Sequence, residues 1–254
     1  MKSQQIIITH NKHEGKTHFM VFHRARIKLN CSDVIIQNET LQKTRIIKYL
    51  AVIIDDKLKW TDHITYIKNK ISKSIGILYR TRSFLDKTTL RNLYYTFVFP
   101  YLIYCSEIWG NAAMVHLKPI VTLQKKCIRT ITFSEYLAPT KPLFMSLNIL
   151  RFEKLIIQRI SLLMFKYSKA SLPKSLMNLF STNNQIHNHF TRSSSSLHTP
   201  KGEGEAIYNT FSFRGVYIWN HISKYVQTNV SYTSFKRLVK MYIIENDMTN
   251  LRIE

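Results

Sequence analysis

The chain has 254 residues, 45% of them hydrophobic, enough to bury a core in one or two domains. Lysine and arginine number 37 against 15 aspartates and glutamates, a formal net charge of +22. A folded domain this basic repels itself unless an anion neutralises it.

The candidate anions are nucleic-acid phosphates, whose contacts release counterions, and an anionic membrane surface. The basic residues are spread along the whole chain, whereas membrane-binding basic signals are clustered, so nucleic acid is favoured. Cys31, Cys105 and Cys127 form no spaced pair, which argues against a disulfide framework or a cysteine-based zinc site. The run Ile6, Ile7, Ile8 is too short for a signal peptide. The most apolar stretch, residues 93–105, contains Pro100 and falls short of the ~20 residues that span a bilayer. The expectation is a protein of the nucleus or cytoplasm, neither secreted nor membrane-spanning.

Residues 1–55 read as short strands. Apolar runs at residues 19–22, 34–36 and 49–54, bounded by polar turns, suit a small antiparallel sheet. The period then changes. Asp62 is expected to cap a helix starting at His63, and Ile64, Ile67, Ile71, Ile75, Leu78 and Leu85 form one apolar stripe. Between them lie Lys68, Lys70, Lys73, Arg80 and Arg82. A second helical stretch covers residues 88–109, kinked or split by Pro100 and stopped by Gly110. A third covers residues 115–131 and carries Lys125, Lys126 and Arg129; a fourth covers residues 152–167. Residues 182–199 are rich in Asn, His and Ser and read as an exposed loop or linker. Helical spacing returns at residues 211–222 and 235–244.

The fold class implied is α+β, mainly α: a small antiparallel sheet, then a basic helical bundle, then a small helical tail. The expected divisions are residues 1–56, 57–181, 182–204 and 205–254.

The first candidate for chemistry is Ile53-Ile54-Asp55-Asp56. Polymerase palms hold two metal ions with paired carboxylates at a hairpin tip. A third carboxylate must come from an upstream apolar strand, and Glu14, Asp33 and Glu39 do not sit in one. Lys57 and Lys59 follow at once, as in a solvated turn leaving a sheet, and this is the favoured reading. His10 and His13 lack the third and fourth ligands of a metal site, and His187 and His189 fall in the Asn/Ser loop. The basic helices are the stronger candidate. Between Lys68 and Phe84 there is no acidic residue, whereas a merely solvated face would carry glutamate too. Tyr66, Tyr79, Tyr94, Tyr95 and Phe97 are interleaved and offer stacking surfaces.

Several runs together resemble the region after the active site in LINE-type, jockey-like non-LTR retrotransposon reverse transcriptases. These are Lys48-Tyr49-Leu50-Ala51-Val52-Ile53-Ile54-Asp55, then Leu58-Lys59-Trp60 and His63-Ile64. Upstream, Lys16-Thr17 before Met20-Val21-Phe22 is similar to the family's Lys-Thr strand. Downstream, Leu93-Tyr94, Pro100-Tyr101, Tyr104-Cys105, Trp109-Gly110 and Leu123-Gln124-Lys125-Lys126 with Arg129 are similar to its thumb-side helices. Thr191-Arg192, Trp219-Asn220 and Phe235-Lys236 match the usual tail.

The resemblance implies a partial palm, a thumb and a C-terminal region. It makes Tyr49, Leu50 and Ala51 a primer grip, Lys16 the palm lysine, and residues 62–168 a thumb tracking the template–primer backbone. The partners implied are RNA, DNA or their hybrid, held through phosphates. The family's polymerisation uses Mg²⁺. The family's aromatic-x-Asp-Asp sequence precedes the Lys-Thr strand, and nothing before Lys16 matches it. The expectation is therefore a truncated copy without catalytic residues or cofactor of its own, inactive alone. The alternative is a co-opted helical module that binds protein. Unpaired sheet edges are expected to make the first ~55 residues the most protease-sensitive.

Overall fold

The computed structural model describes residues 5–11, 16–22, 34–36, 39–186, 194–201, 207–208, 210–222, 224–227 and 231–246. His13, His187, His189, Thr191 and Arg192 lie outside these residues, as do the side chains of His10 and Lys16.

Strand β1 (Gln5–Asn11) runs antiparallel to β2 (Lys16–Phe22), with Asn11 opposite Lys16. Strands β3 (Ile35–Ile36) and β4 (Glu39–Thr40) form a short antiparallel pair. Strand β5 (Gln42–Lys43) joins the free side of β2 in parallel. That parallel pair departs from the all-antiparallel expectation. The connection between its strands, residues 23–41, has the dozen or more residues a crossover needs. Phe19, Val21 and Leu41 make a small core of their own. Strands β6 (Ile46–Tyr49) and β7 (Val52–Asp55) form a separate antiparallel hairpin.

Helix α1 (Thr61–Thr81) follows. It buries Ile64, Ile67, Ile71, Ile75 and Leu78, the stripe read from the sequence, each stabilising by about 2 kcal/mol over exposure. Its start differs from expectation. Trp60, at φ 65, occupies the cap position, and Asp62 sits inside the first turn, where its charge opposes the helix dipole favourably. The helix ends before Leu85, which packs from the following loop.

The second stretch breaks into α2 (Lys87–Phe97), α3 (Phe99–Ile103) and α4 (Ser106–Trp109). Asp86 caps α2 by accepting the Thr88 and Thr89 amides, and hydrogen bonding from the Thr89 side chain first, then from these amides, holds its carboxyl below the usual range. Pro100 falls in the first turn of α3, where a missing N–H is harmless. The second break comes at Tyr104, whose extended backbone ends α3, and at Cys105, whose φ of 51 leads into α4.

Helix α5 (Met114–Ile131) packs along α1. Helix α6 (Thr140–Ser146) leads into α7 (Phe152–Ser168), which is buried on most sides. Short helices α8 (Lys174–Met177) and α9 (Asn183–Ile186) precede α10 (Phe211–His221), α11 (Lys224–Gln227) and α12 (Tyr232–Glu245). Helices α10 and α12 pack on α7, so Val216, Trp219, Phe235 and Val239 join one continuous core with the helices before them and with Val52 of β7.

Two devices lock that core. Gln124 is buried on α5; its Nε2 donates to Tyr94 Oη (3.1 Å) and Leu150 O (3.0 Å), and its Oε1 accepts from Phe152 N (2.8 Å). One amide thus ties α2, α5 and the start of α7. Trp109 stacks on Phe152 with ring centroids 5.5 Å apart. Gly110 beside it has no room for a side chain: a Cβ there would lie 2.8 Å from Ile156 and strike the Ser106 carbonyl.

Candidate nucleic-acid interface

The sheet-to-helix junction comes first, because it sets where α1 points. The β6–β7 hairpin turns through Leu50 and Ala51 alone, at φ 45 and φ 64. Two-residue hairpin turns of this hand suit glycine, so Ala51 carries strain of about 1 kcal/mol. Tyr49 and Leu50 are exposed at the tip. The Leu50 carbonyl accepts the Tyr104 hydroxyl at 2.7 Å, and Trp109 Nε1 donates to Tyr104 O at 2.8 Å. The tip is therefore tied to the α3–α4 corner.

Asp55 closes the other end of the hairpin. Its Oδ1 accepts from Lys57 N (3.1 Å) and Lys59 N (3.0 Å), and its Oδ2 accepts from Trp60 N (2.8 Å). This is why no cap is needed at Asp62: Asp55, ahead of the helix, fixes the entering chain. His63 completes the junction. Its Nδ1 accepts from Ile53 N at 3.3 Å and its ring packs edge-on against Trp109 at 5.5 Å. Burial lowers its pKa from 6.5 to about 4, so it is neutral at physiological pH.

Both Asp55 oxygens are thus engaged by backbone amides, which suits an anion in a turn and not a metal ligand. Among the described residues no three His, Cys, Asp or Glu side chains converge as a metal site would require. Among the described residues, the side chains around Asp55 do not fit the Mg²⁺ pair of a polymerase centre.

The basic residues expected on α1 divide by its 3.6-residue period. Tyr66, Lys70, Lys73, Ile77 and Arg80 follow at steps of four and three and form one ridge. Lys68, Tyr79 and Arg82 lie on the opposite shoulder. The small residues Asn69, Ser72 and Gly76 run between the two. Around Gly76 there is an open groove lined by Lys73, Ile77, Tyr79 and Arg80, and a Cβ on Gly76 would meet nothing within 4 Å.

The ridge extends past the helix. Lys48 of β6 and Lys70 both stand over the Tyr66 ring, at 5.7 and 5.5 Å from its centroid. Lys48 was missed as a site residue, although its alternation with buried Ile47 in the strand points it outward. Lys73, Arg80 and Lys126 are exposed, while Lys68, Lys70, Arg82, Lys125 and Arg129 are half-buried. Arg129 is partly structural, since its Nε donates to Ala138 O at 2.9 Å. Among the described residues none of these cations is ion-paired; the ion pairs join Arg151 to Glu153 and Arg159 to Glu107 elsewhere.

The chain is thus a helical domain with a docked hairpin, whose α1 carries a ridge of cations without ion-pair partners among the described residues. Sequence comparison gives it a lineage. The chain is 30% identical over 123 residues to the RNA-directed DNA polymerase from mobile element jockey of Drosophila funebris, and 27% identical over 123 residues to that of Drosophila melanogaster. It is 29% identical over 119 residues to the probable RNA-directed DNA polymerase from transposon X-element of Drosophila melanogaster. These matches take in 46–47% of this chain and 13% of each relative's length. This chain is a relative of the jockey-like non-LTR retrotransposon reverse transcriptases. No family model matches it, and no solved structure matches it. Among the described residues, no helix is long and apolar enough to cross a membrane.

Proposed function

We propose that this chain is the template–primer-holding part of a reverse transcriptase, a thumb-like helical bundle with a primer-grip-like hairpin, and not the seat of its chemistry. The observation that carries this reading is the outward face of α1. Lys70, Lys73 and Arg80 stand on one ridge, without carboxylate partners among the described residues, beside an open groove floored by Gly76. A helix of 21 residues is about 30 Å long, room for several successive phosphates. Cations without acids at this spacing bind backbone regardless of base sequence.

The hairpin supports the same reading. Tyr104 and the Asp55–His63 junction fix its tip and strands against the helices, so Tyr49, Leu50 and Ala51 and the α1 ridge belong to one rigid surface. Lys16 opens β2, and in this reading it is the palm lysine. Engagement of both Asp55 oxygens supports the view that catalysis, which needs metal-bound carboxylates, is not supplied by this turn.

The test is binding of a primed RNA template by filter retention at ~50 and ~200 mM salt. Backbone contact through several cations predicts a fall in affinity of a hundredfold or more between the two. A flat salt response overturns the reading. Primer extension with Mg²⁺ is expected to yield no product from this chain alone.

A further inference from the structure

Two loops meet at the end of α1. Residues 82–85 follow α1, and residues 132–139 follow α5. Arg82 joins them: its guanidinium carbon lies 5.8 Å from the Tyr79 ring centroid and 5.2 Å from that of Phe133. Cation–π contact on two sides holds a planar group in place. No carboxylate pairs with Arg82 among the described residues; Asp86 is turned to cap α2, and exposed Glu135 lies on the second loop.

The second loop is fixed to its helix. Arg129 Nε donates to Ala138 O, and Ser134 N donates to Arg129 O at 3.0 Å. Yet these loops carry the most exposed apolar side chains of the described chain: Phe84 at 86%, Leu137 at 84% and Tyr136 at 78%. Rings held outward by a fixed backbone are a surface that expects an occupant. The patch adjoins the α1 groove, because Tyr79 lines both.

We propose that this apex is a stacking site for unpaired nucleotides at the end of a duplex lying along α1. Every base has a π-face that stacks on rings or on a guanidinium plane, and its phosphate would meet Arg80 and Arg82. An apolar protein surface would match the rings but not these two cations. The proposal rests on the backbone-holding reading above.

The full chain is titrated with two probes: a blunt duplex, and the same duplex with a six-nucleotide single-stranded tail bearing 2-aminopurine. The tail is expected to raise affinity roughly tenfold and to quench 2-aminopurine fluorescence. Phe133→Leu and Tyr136→Leu keep apolar bulk and remove a ring. With the thermal melt of each variant checked against the parent, both are expected to lose the tail's advantage and its quenching while binding blunt duplex as before. Equal affinity for the two probes, or a tail advantage that survives in both variants, overturns this inference and leaves the backbone reading standing. Failure to bind either probe overturns both.

Discussion

The inner and outer sides of α1 hold different kinds of information. Many of the motif residues that resemble the reverse transcriptases turn inward: Asp55 and His63 brace the hairpin, Trp60 is buried, and Trp109, Gly110 and Gln124 lock the bundle, while Tyr49 and Leu50 stay exposed at the hairpin tip. The residues on the outer side of α1, Lys70, Lys73, Gly76 and Arg80, carry charge and a low saddle but none of the motif. The resemblance therefore identifies a scaffold, and the binding reading rests on what that scaffold displays. Substitutions on the two sides should separate: inner ones cost stability, outer ones cost affinity.

The largest effect is expected inside. Gln124→Leu strands the Phe152 N–H, the Leu150 carbonyl and the Tyr94 hydroxyl, and should destabilise by about 3 kcal/mol, seen as a drop of about 10 °C in Tm. Duplex affinity of the folded fraction should not change; if it falls as well, the two sides are not separable.

Next comes acid. His63 has its folded pKa lowered to about 4, below the 6.5 of the unfolded chain. The unfolded state therefore takes up the proton first. The stabilisation is complete above pH ~6.5, is lost as pH falls toward ~4, and totals about 2–3 kcal/mol. Melting temperature followed from pH 7 to pH 4 should fall, and His63→Gln should flatten that slope.

Asp55→Asn replaces one accepting oxygen with a donor opposite backbone amides, and should cost about 2 kcal/mol. Mg²⁺ should leave the melting of parent and variant alike. A Mg²⁺-dependent rise in Tm that disappears in the variant would make Asp55 a metal ligand after all.

Gly76→Ala sharpens the contrast most. Replacing a half-buried mid-helix glycine should raise stability by about 1 kcal/mol, since nothing obstructs the methyl. The same methyl narrows the groove between Lys73 and Arg80, so duplex affinity should drop several-fold. A variant that is stabler and binds equally well would remove Gly76 from the interface.

Much of the bundle was legible in the sequence, because α1, α5 and α7 are long enough for a 3.6-residue stripe to declare itself. Helices α6, α8, α9 and α11 are two turns or less and show no period. The start of α1 was misread because its entry is fixed from Asp55, five residues before Trp60, and not by a local cap. The cations of α1 were found by composition. Their division into a ridge and an opposite shoulder follows from helical spacing once the helix is fixed, as does the place of Gly76 between them. That Arg129 holds the loop after α5 and that Lys48 of β6 shares Tyr66 with Lys70 was not legible, since neither contact follows from a helical or strand period.

The most direct test of the account is the salt dependence of primed-template binding by the parent chain and by the triple variant Lys70→Gln, Lys73→Gln, Arg80→Gln. If the α1 ridge holds the backbone, the variant should melt as the parent does, and the slope of log affinity against log salt should shrink by about two to three. An unchanged slope with a normal melt would place the nucleic acid elsewhere on the molecule and contradict the account.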